Sequence, residues 1–155
     1  MTNIMIEQGQ LENTNVINLL EEHHRDMLSH SPVESVHALD LSHLKSENII
    51  FLTAWIDGDI AGCGALKILN TYQVEIKSMR TAQKYLRKGV AAELLSHILK
   101  ISLNKNMTEI YLETGSTDVF KPAHKLYASF GFKECPPFAD YAQDPYSLFM
   151  LKLVP

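Results

Sequence analysis

Apolar and polar positions alternate in NIMIEQ, residues 3–8, which predicts a first strand. From Leu11 to about Leu28, residues Val16, Leu19, Leu20, His23 and Met27 recur at helical spacing. Ser31-Pro32 ends that helix, because proline lacks an N–H and cannot continue it. SPVESVHALDLSHLKSE reads as a loop plus a short helix. Two apolar runs then flank Asp57-Gly58, the signal of a tight hairpin. YQVEIKSM alternates again and predicts a third strand in this region. Val90, Leu94, Ile98 and Ile101, with Ala91 and Leu95 beside them, form the apolar stripe of an amphipathic helix. EIYLET predicts a strand, VFKPAHKLYASF a shorter helix closed by Gly131, and FKEC and SLFMLKL two last strands. This order implies an α/β (α+β) domain on a largely antiparallel sheet. No repeat, low-complexity tract or linker divides the chain, so residues 1–155 read as a single domain.

Composition narrows the function classes. The chain carries 14 Lys+Arg against 18 Asp+Glu, a formal charge of −4, which argues against a nucleic-acid or membrane-surface partner. MTNIMIEQGQ has no basic start followed by an apolar stretch, and no apolar run approaches the roughly 20 residues that span a bilayer. Cys63 and Cys135 are far apart and form no CxxC, so reduced thiols and a cytoplasmic location are expected. No HExxH or zinc spacing accompanies the seven histidines, and no metal is expected.

One stretch departs from this acidic background. RTAQKYLRKGVAA, residues 80–92, holds Arg80, Lys84, Arg87 and Lys88 with no acid among them, directly before the amphipathic helix. A helix start presents unpaired N–H groups, and small residues such as Gly89 and Ala91 let a phosphate approach them. The charge pattern alone supports a phosphate cradle and a solvated surface loop about equally. Neither a P-loop nor a Rossmann fingerprint is present.

VEIKSMRTAQKYLRKGVAAELL resembles the acetyl-CoA-binding motif of the GCN5-related N-acetyltransferases, the GNAT family. The loop Leu86-Arg87-Lys88-Gly89-Val90-Ala91, followed by Leu94-Leu95, is similar to that family's [QR]-x-x-G-x-[GA] loop and helix. Ala123, Leu126, Tyr127, Gly131 and Phe132 resemble its A-x-x-L-Y-x-x-x-G-F signature. The likeness covers essentially the whole chain, and its ending resembles a subgroup of small bacterial acetyltransferases. It departs at Leu86, where the family carries Gln or Arg, and at Phe120, near a common Asn that reaches the pantetheine arm.

The resemblance implies the GNAT fold, a mixed, mostly antiparallel sheet of six to seven strands flanked by about four helices. It implies acetyl transfer from acetyl-CoA to a primary amine of a small molecule or peptide, by direct attack in a ternary complex without an acetyl-cysteine. Met79, Arg80 and Thr81 would pair with the pantetheine arm, and Arg87, Lys88, Gly89, Val90 and Ala91 would hold the diphosphate. Tyr127 would be the general acid, although a tyrosine on an amphipathic helix is often only core. Glu75, fourteen residues before Gly89 as in histone-acetyltransferase-like members, would be the base, or else a strand glutamate paired with Lys77. Glu113 and His124 are alternative bases, and His37 and Glu113 candidate acceptor contacts. A homodimer is also implied, with YSLFMLKL able to pair across an interface. The alternatives are a non-catalytic acyl-CoA-binding or regulatory module and, more weakly, a nucleotide-binding protein.

Overall fold

The computed structural model describes residues 3–37 and 40–154. Its strands are β1 (Met5–Gln8), β2 (Ile49–Ile56), β3 (Asp59–Ile68), β4 (Gln73–Thr81), β5 (Glu109–Gly115), β6 (Lys133–Glu134) and β7 (Ser147–Leu153). Its α-helices are α1 (Thr14–His30), α2 (Leu41–Leu44), α3 (Val90–Asn104) and α4 (Lys121–Ser129). The strands form one sheet in the order β1-β2-β3-β4-β5-β7-β6. Every neighbouring pair is antiparallel except β4 with β5. This is the mixed sheet with four helices that the resemblance implies.

Strand alternation sorts side chains onto two helix layers. Leu52, Ala54, Ile56, Leu66, Val74, Ile76, Ile110 and Leu112 meet Val90, Leu94, Leu95 and Ile98 of α3 and Tyr127 of α4. On the other face Phe51, Cys63 and Ala65 meet Val16 and Leu19 of α1 and Leu44 of α2. Helix α1 begins at Thr14 rather than Leu11 because the Asn13 side chain accepts from the amides of Asn15 and Val16, at 2.9 and 3.4 Å. FKEC contributes only Lys133–Glu134 to the sheet. Because β6 pairs with β7 at Leu151 and Met150, part of the edge expected to meet a second subunit is already covered within the chain.

Two irregularities prepare a site in the middle of the sheet. Strand β4 runs beside β5 only from Gln73 to Ile76, and beyond that pair the two part company. Between Cys63 and Ala65 the β3–β4 register slips, so that Ser78 and Met79 together face Gly64. Ser78 accordingly adopts φ +55°, uncommon for a residue with a side chain. The bulge leaves Met79 packed toward α3 and turns Arg80 toward α1.

Candidate functional site

A cleft of about 790 Å³ fills the gap between the parted strands. Its floor is the free half of β4, residues 77–81, facing Glu113, Thr114 and Gly115 of β5. One end opens on the start of α3, where Arg87, Gly89, Val90 and Ala91 line it. Arg87 and Gly89 both have positive φ, +62° and +85°, around Lys88. Gly89 is the residue this turn needs, since that conformation is strained for a side chain even though open space surrounds it. Among the described residues no side chain caps α3, so its first amides stand at the cleft without a side-chain partner. That arrangement can hold an anion.

Lys88, expected beside Arg87 at this cradle, is exposed and does not line the cleft. Arg80 does line it, but its guanidinium is engaged with α1: Nη1 donates to Asp26 Oδ2 at 2.6 Å and Nη2 to Glu22 Oε1 at 2.8 Å. Its side-chain charge is therefore directed to the helix, leaving its main chain, with that of Met79 and Thr81, on the open strand. Leu86 lines the cleft and is 53% exposed. Phe120 lies across Gly115, where an added Cβ would clash with Cδ2, Cε2 and Cζ of the aromatic ring. Gly115 is thus required by the close approach of Phe120, and a ring stands near the place where the resemblance expects an Asn.

At the other end the second face of β4 and β5 gathers the polar chemistry. Period-two alternation puts Glu75, Lys77, Tyr111 and Glu113 on one side, opposite the apolar Val74, Ile76, Ile110 and Leu112. Glu75 is 2% exposed. Its Oε2 receives Tyr141 Oη at 2.6 Å and Lys77 Nζ at 3.2 Å, and Lys77 also donates to Tyr141 Oη at 2.8 Å. Such a closed triangle satisfies both buried charges. Burial, then the neighbouring Glu75 carboxylate, pushes the Tyr141 phenol well above its usual range. Tyr141 also belongs to an aromatic cluster with Phe138, Phe149 and His37.

Glu113 is different. It is half-buried, lines the cleft and accepts from Ser147 Oγ at 2.8 Å. Burial raises its pKa to about 7, against the opposing Ser147 hydrogen bond and Lys77 charge, with Glu75 and Asp144 adding to the rise. His37 lines the cleft edge-on to the Tyr141 ring at 5.0 Å, and burial, then Lys77, lowers its pKa. Ala38 and Leu39, in the segment expected to border an acceptor, lie outside the described residues. Tyr127 lines the cleft from α4, is 6% exposed and packs edge-on against Phe132 at 5.7 Å; burial pushes its phenol up, so it keeps its proton. His124 instead bonds the Gly115 carbonyl at 2.7 Å.

The structure therefore brings together Glu75, Met79, Arg80, Thr81, Arg87, Gly89, Val90, Ala91, His37, Glu113 and Tyr127 around one cleft. Sequence reasoning missed Tyr141 and Ser147. Alternation already put Lys77 with Glu75, but nothing local signals that the loop after β6 folds Tyr141 back onto them.

The sequence profile of the Acetyltransferase (GNAT) family matches residues 14–132. The chain is 49% identical over 147 residues to YsnE of Bacillus subtilis (strain 168), named as an N-acetyltransferase, covering 95% of this chain and 97% of that one. Its fold is similar to that of an acyl-CoA N-acyltransferase from Klebsiella pneumoniae, with TM-score 0.80, 25% identity and 97% of each chain covered. It also resembles a GNAT family acetyltransferase from Elizabethkingia anophelis solved with acetyl-CoA bound, with TM-score 0.70, 18% identity, and 98% and 99% covered.

Proposed function

Because the chain belongs to the Acetyltransferase (GNAT) family and is an N-acetyltransferase, we propose that it transfers the acetyl group of acetyl-CoA to a primary amine of a small molecule or peptide, by direct attack in a ternary complex. The observation that carries this reading is the continuous cleft, with an uncapped helix start at one end and Glu113 at the other. The amides of Val90 and Ala91, with Arg87, hold the diphosphate. The open edge of β4 at Met79 to Thr81 pairs with the pantetheine arm, which lies in the gap left by β5. A main-chain N–H close to Met79 stabilises the thioester oxygen as it gains charge.

Glu113, rather than Glu75, takes the proton of the incoming ammonium. Glu75 is sealed behind Lys77 and Tyr141, whereas Glu113 borders open cleft with a pKa near the pH of use. The free amine attacks the thioester carbon, the carbon–sulfur bond breaks, Tyr127 donates its proton to the departing thiolate, and the proton that the new amide nitrogen sheds reprotonates the Tyr127 phenolate. Neither cysteine carries the acetyl group. Cys63 is fully buried with its thiol pushed up to about 12, and Cys135 is likewise raised by burial.

Acetyl-CoA consumption over a panel of amines, with wild type and Tyr127→Phe, tests the reading. Turnover of at least one amine and a loss of about 10²-fold in kcat for the variant, with CoA affinity unchanged, are expected. Tight CoA binding with no turnover of any amine would instead identify a binding module.

A further inference from the structure

The bulge on β4 is braced on both sides of Met79. Ser78 stands before it at φ +55°. The fully buried Cys63 of β3 donates its thiol to the Ser78 carbonyl, with Sγ and O 3.3 Å apart. Burial raises that thiol to about 12, against the charge and main-chain amide of Arg80, so Sγ keeps its proton and remains a donor. Arg80 stands after Met79 and is the register partner of Cys63. Its side chain is the second brace. It bridges Glu22 and Asp26, one turn apart on α1, at 2.8 and 2.6 Å. Asp26 also meets His30 Nε2 at 3.2 Å. Glu22 lies outside the lining of the cleft.

What the braces fix is a direction. A planar trans peptide points its C=O and its N–H opposite ways. The Ser78 carbonyl is turned toward Cys63 on β3. The N–H of the same peptide, that of Met79, therefore turns toward the other edge of β4, where β5 has parted. The ladder with β5 ends at Ile76, so that edge offers no strand to hold the peptide in this orientation. Positive φ is uphill for serine, and without its braces the peptide can rotate back.

We propose that Cys63, Arg80 and Glu22 are positioning residues for acetyl transfer, holding the bulge so that the Met79 N–H points at the thioester oxygen as that oxygen gains charge. Their side chains act through the main chain and touch none of the reacting atoms. The role rests on the acetyl-transfer reading above, in which that N–H is the donor. It gives a function to a cysteine that direct attack leaves unused, and to a carboxylate outside the cleft.

The test is single-turnover acetyl transfer from acetyl-CoA to an amine that wild type acetylates, with CoA affinity measured by calorimetry. Cys63→Ala should slow the step about five- to tenfold, the effect of losing one neutral hydrogen bond, and leave CoA affinity unchanged. Cys63→Ser keeps a donor and should return the rate to within about threefold of wild type. Glu22→Ala, which leaves Asp26 on the guanidinium, should slow the step about threefold, again with CoA affinity unchanged. A role in stability alone would not sort the rates by whether a donor remains at residue 63. If Cys63→Ala is poorly folded, Glu22→Ala decides. An unchanged rate in Cys63→Ala or Glu22→Ala, a Cys63→Ser variant as slow as Cys63→Ala, or CoA affinity falling as far as the rate would each overturn the positioning role. Failure of wild type on every amine would overturn the acetyl-transfer reading, and this role with it.

Discussion

Replacing Glu113 with Gln separates the fold's interest from that of the chemistry. Burial raises this carboxylate from 4.5 to about 7. At ~1.4 kcal/mol for each tenfold change in proton affinity, ionising Glu113 within the fold costs up to about 3 kcal/mol, trimmed by solvent at its exposed edge. The folded pKa lies above the unfolded one, so the folded state binds more protons between pH 4.5 and 7. Wild-type stability contributed by this group is therefore full below pH 4.5 and is lost as pH rises through 7. Gln cannot ionise and escapes the loss. Chemical denaturation at pH 8 should find Glu113→Gln more stable than wild type by about 1–3 kcal/mol, and at pH 5 the difference should shrink toward zero. Activity should move the other way. A general base contributes about 10²–10⁴-fold, so kcat/KM for the amine should fall by that factor at pH 8. The acidic limb of the wild-type pH profile, with its midpoint at about 7, should disappear. A variant that gained stability but kept both its rate and its limb would show that Glu113 is buried without being the base. One that lost the rate without gaining stability would refute the electrostatic account of its pKa.

Tyr141→Phe removes the hydroxyl that joins Lys77 to Glu75, and should cost about 1–3 kcal/mol in denaturant unfolding. Arg87→Gly relieves a positive φ and should stabilise the fold by up to about 1 kcal/mol, yet weaken CoA binding about tenfold by calorimetry. Gly115→Ala drives a methyl group into the Phe120 ring and should lower stability by about 1–3 kcal/mol, whereas adding Phe120→Ala should return part of that loss.

The elements that were legible in the sequence are those in which one period dominates. β2 and β3 around Asp57-Gly58, β4, α3 and α4 all stand where alternation or helical spacing placed them. Boundaries shifted where a single side chain decides them, as at Asn13, or where pairing continues past the apolar pattern, as in β4 through Thr81. The phosphate-binding end was legible because its requirements are local: positive φ, small residues and a helix start occupy adjacent positions. The acceptor end was not. Glu75 and Lys77 are neighbours on one strand face, but Tyr141 reaches them from 66 residues away and Ser147 meets Glu113 across an antiparallel pair. Arg80 looked like part of a basic loop because its acidic partners lie more than 50 residues earlier. No periodicity reports such contacts. The bulge at Ser78, which aims Arg80 at α1, also leaves no mark on the apolar pattern.

The short parallel junction has a mechanical consequence. Among the described residues, four register pairs, Gln73 with Glu109 through Ile76 with Leu112, are the only ladder joining two antiparallel blades, β1 to β4 and β5 to β7. That seam runs down the middle of the sheet. Any molecule that bonds to both parted strands extends this seam and clamps the blades together. Melting temperature should then rise with occupancy, and amide exchange should slow along Lys77 to Thr81 before it slows anywhere else.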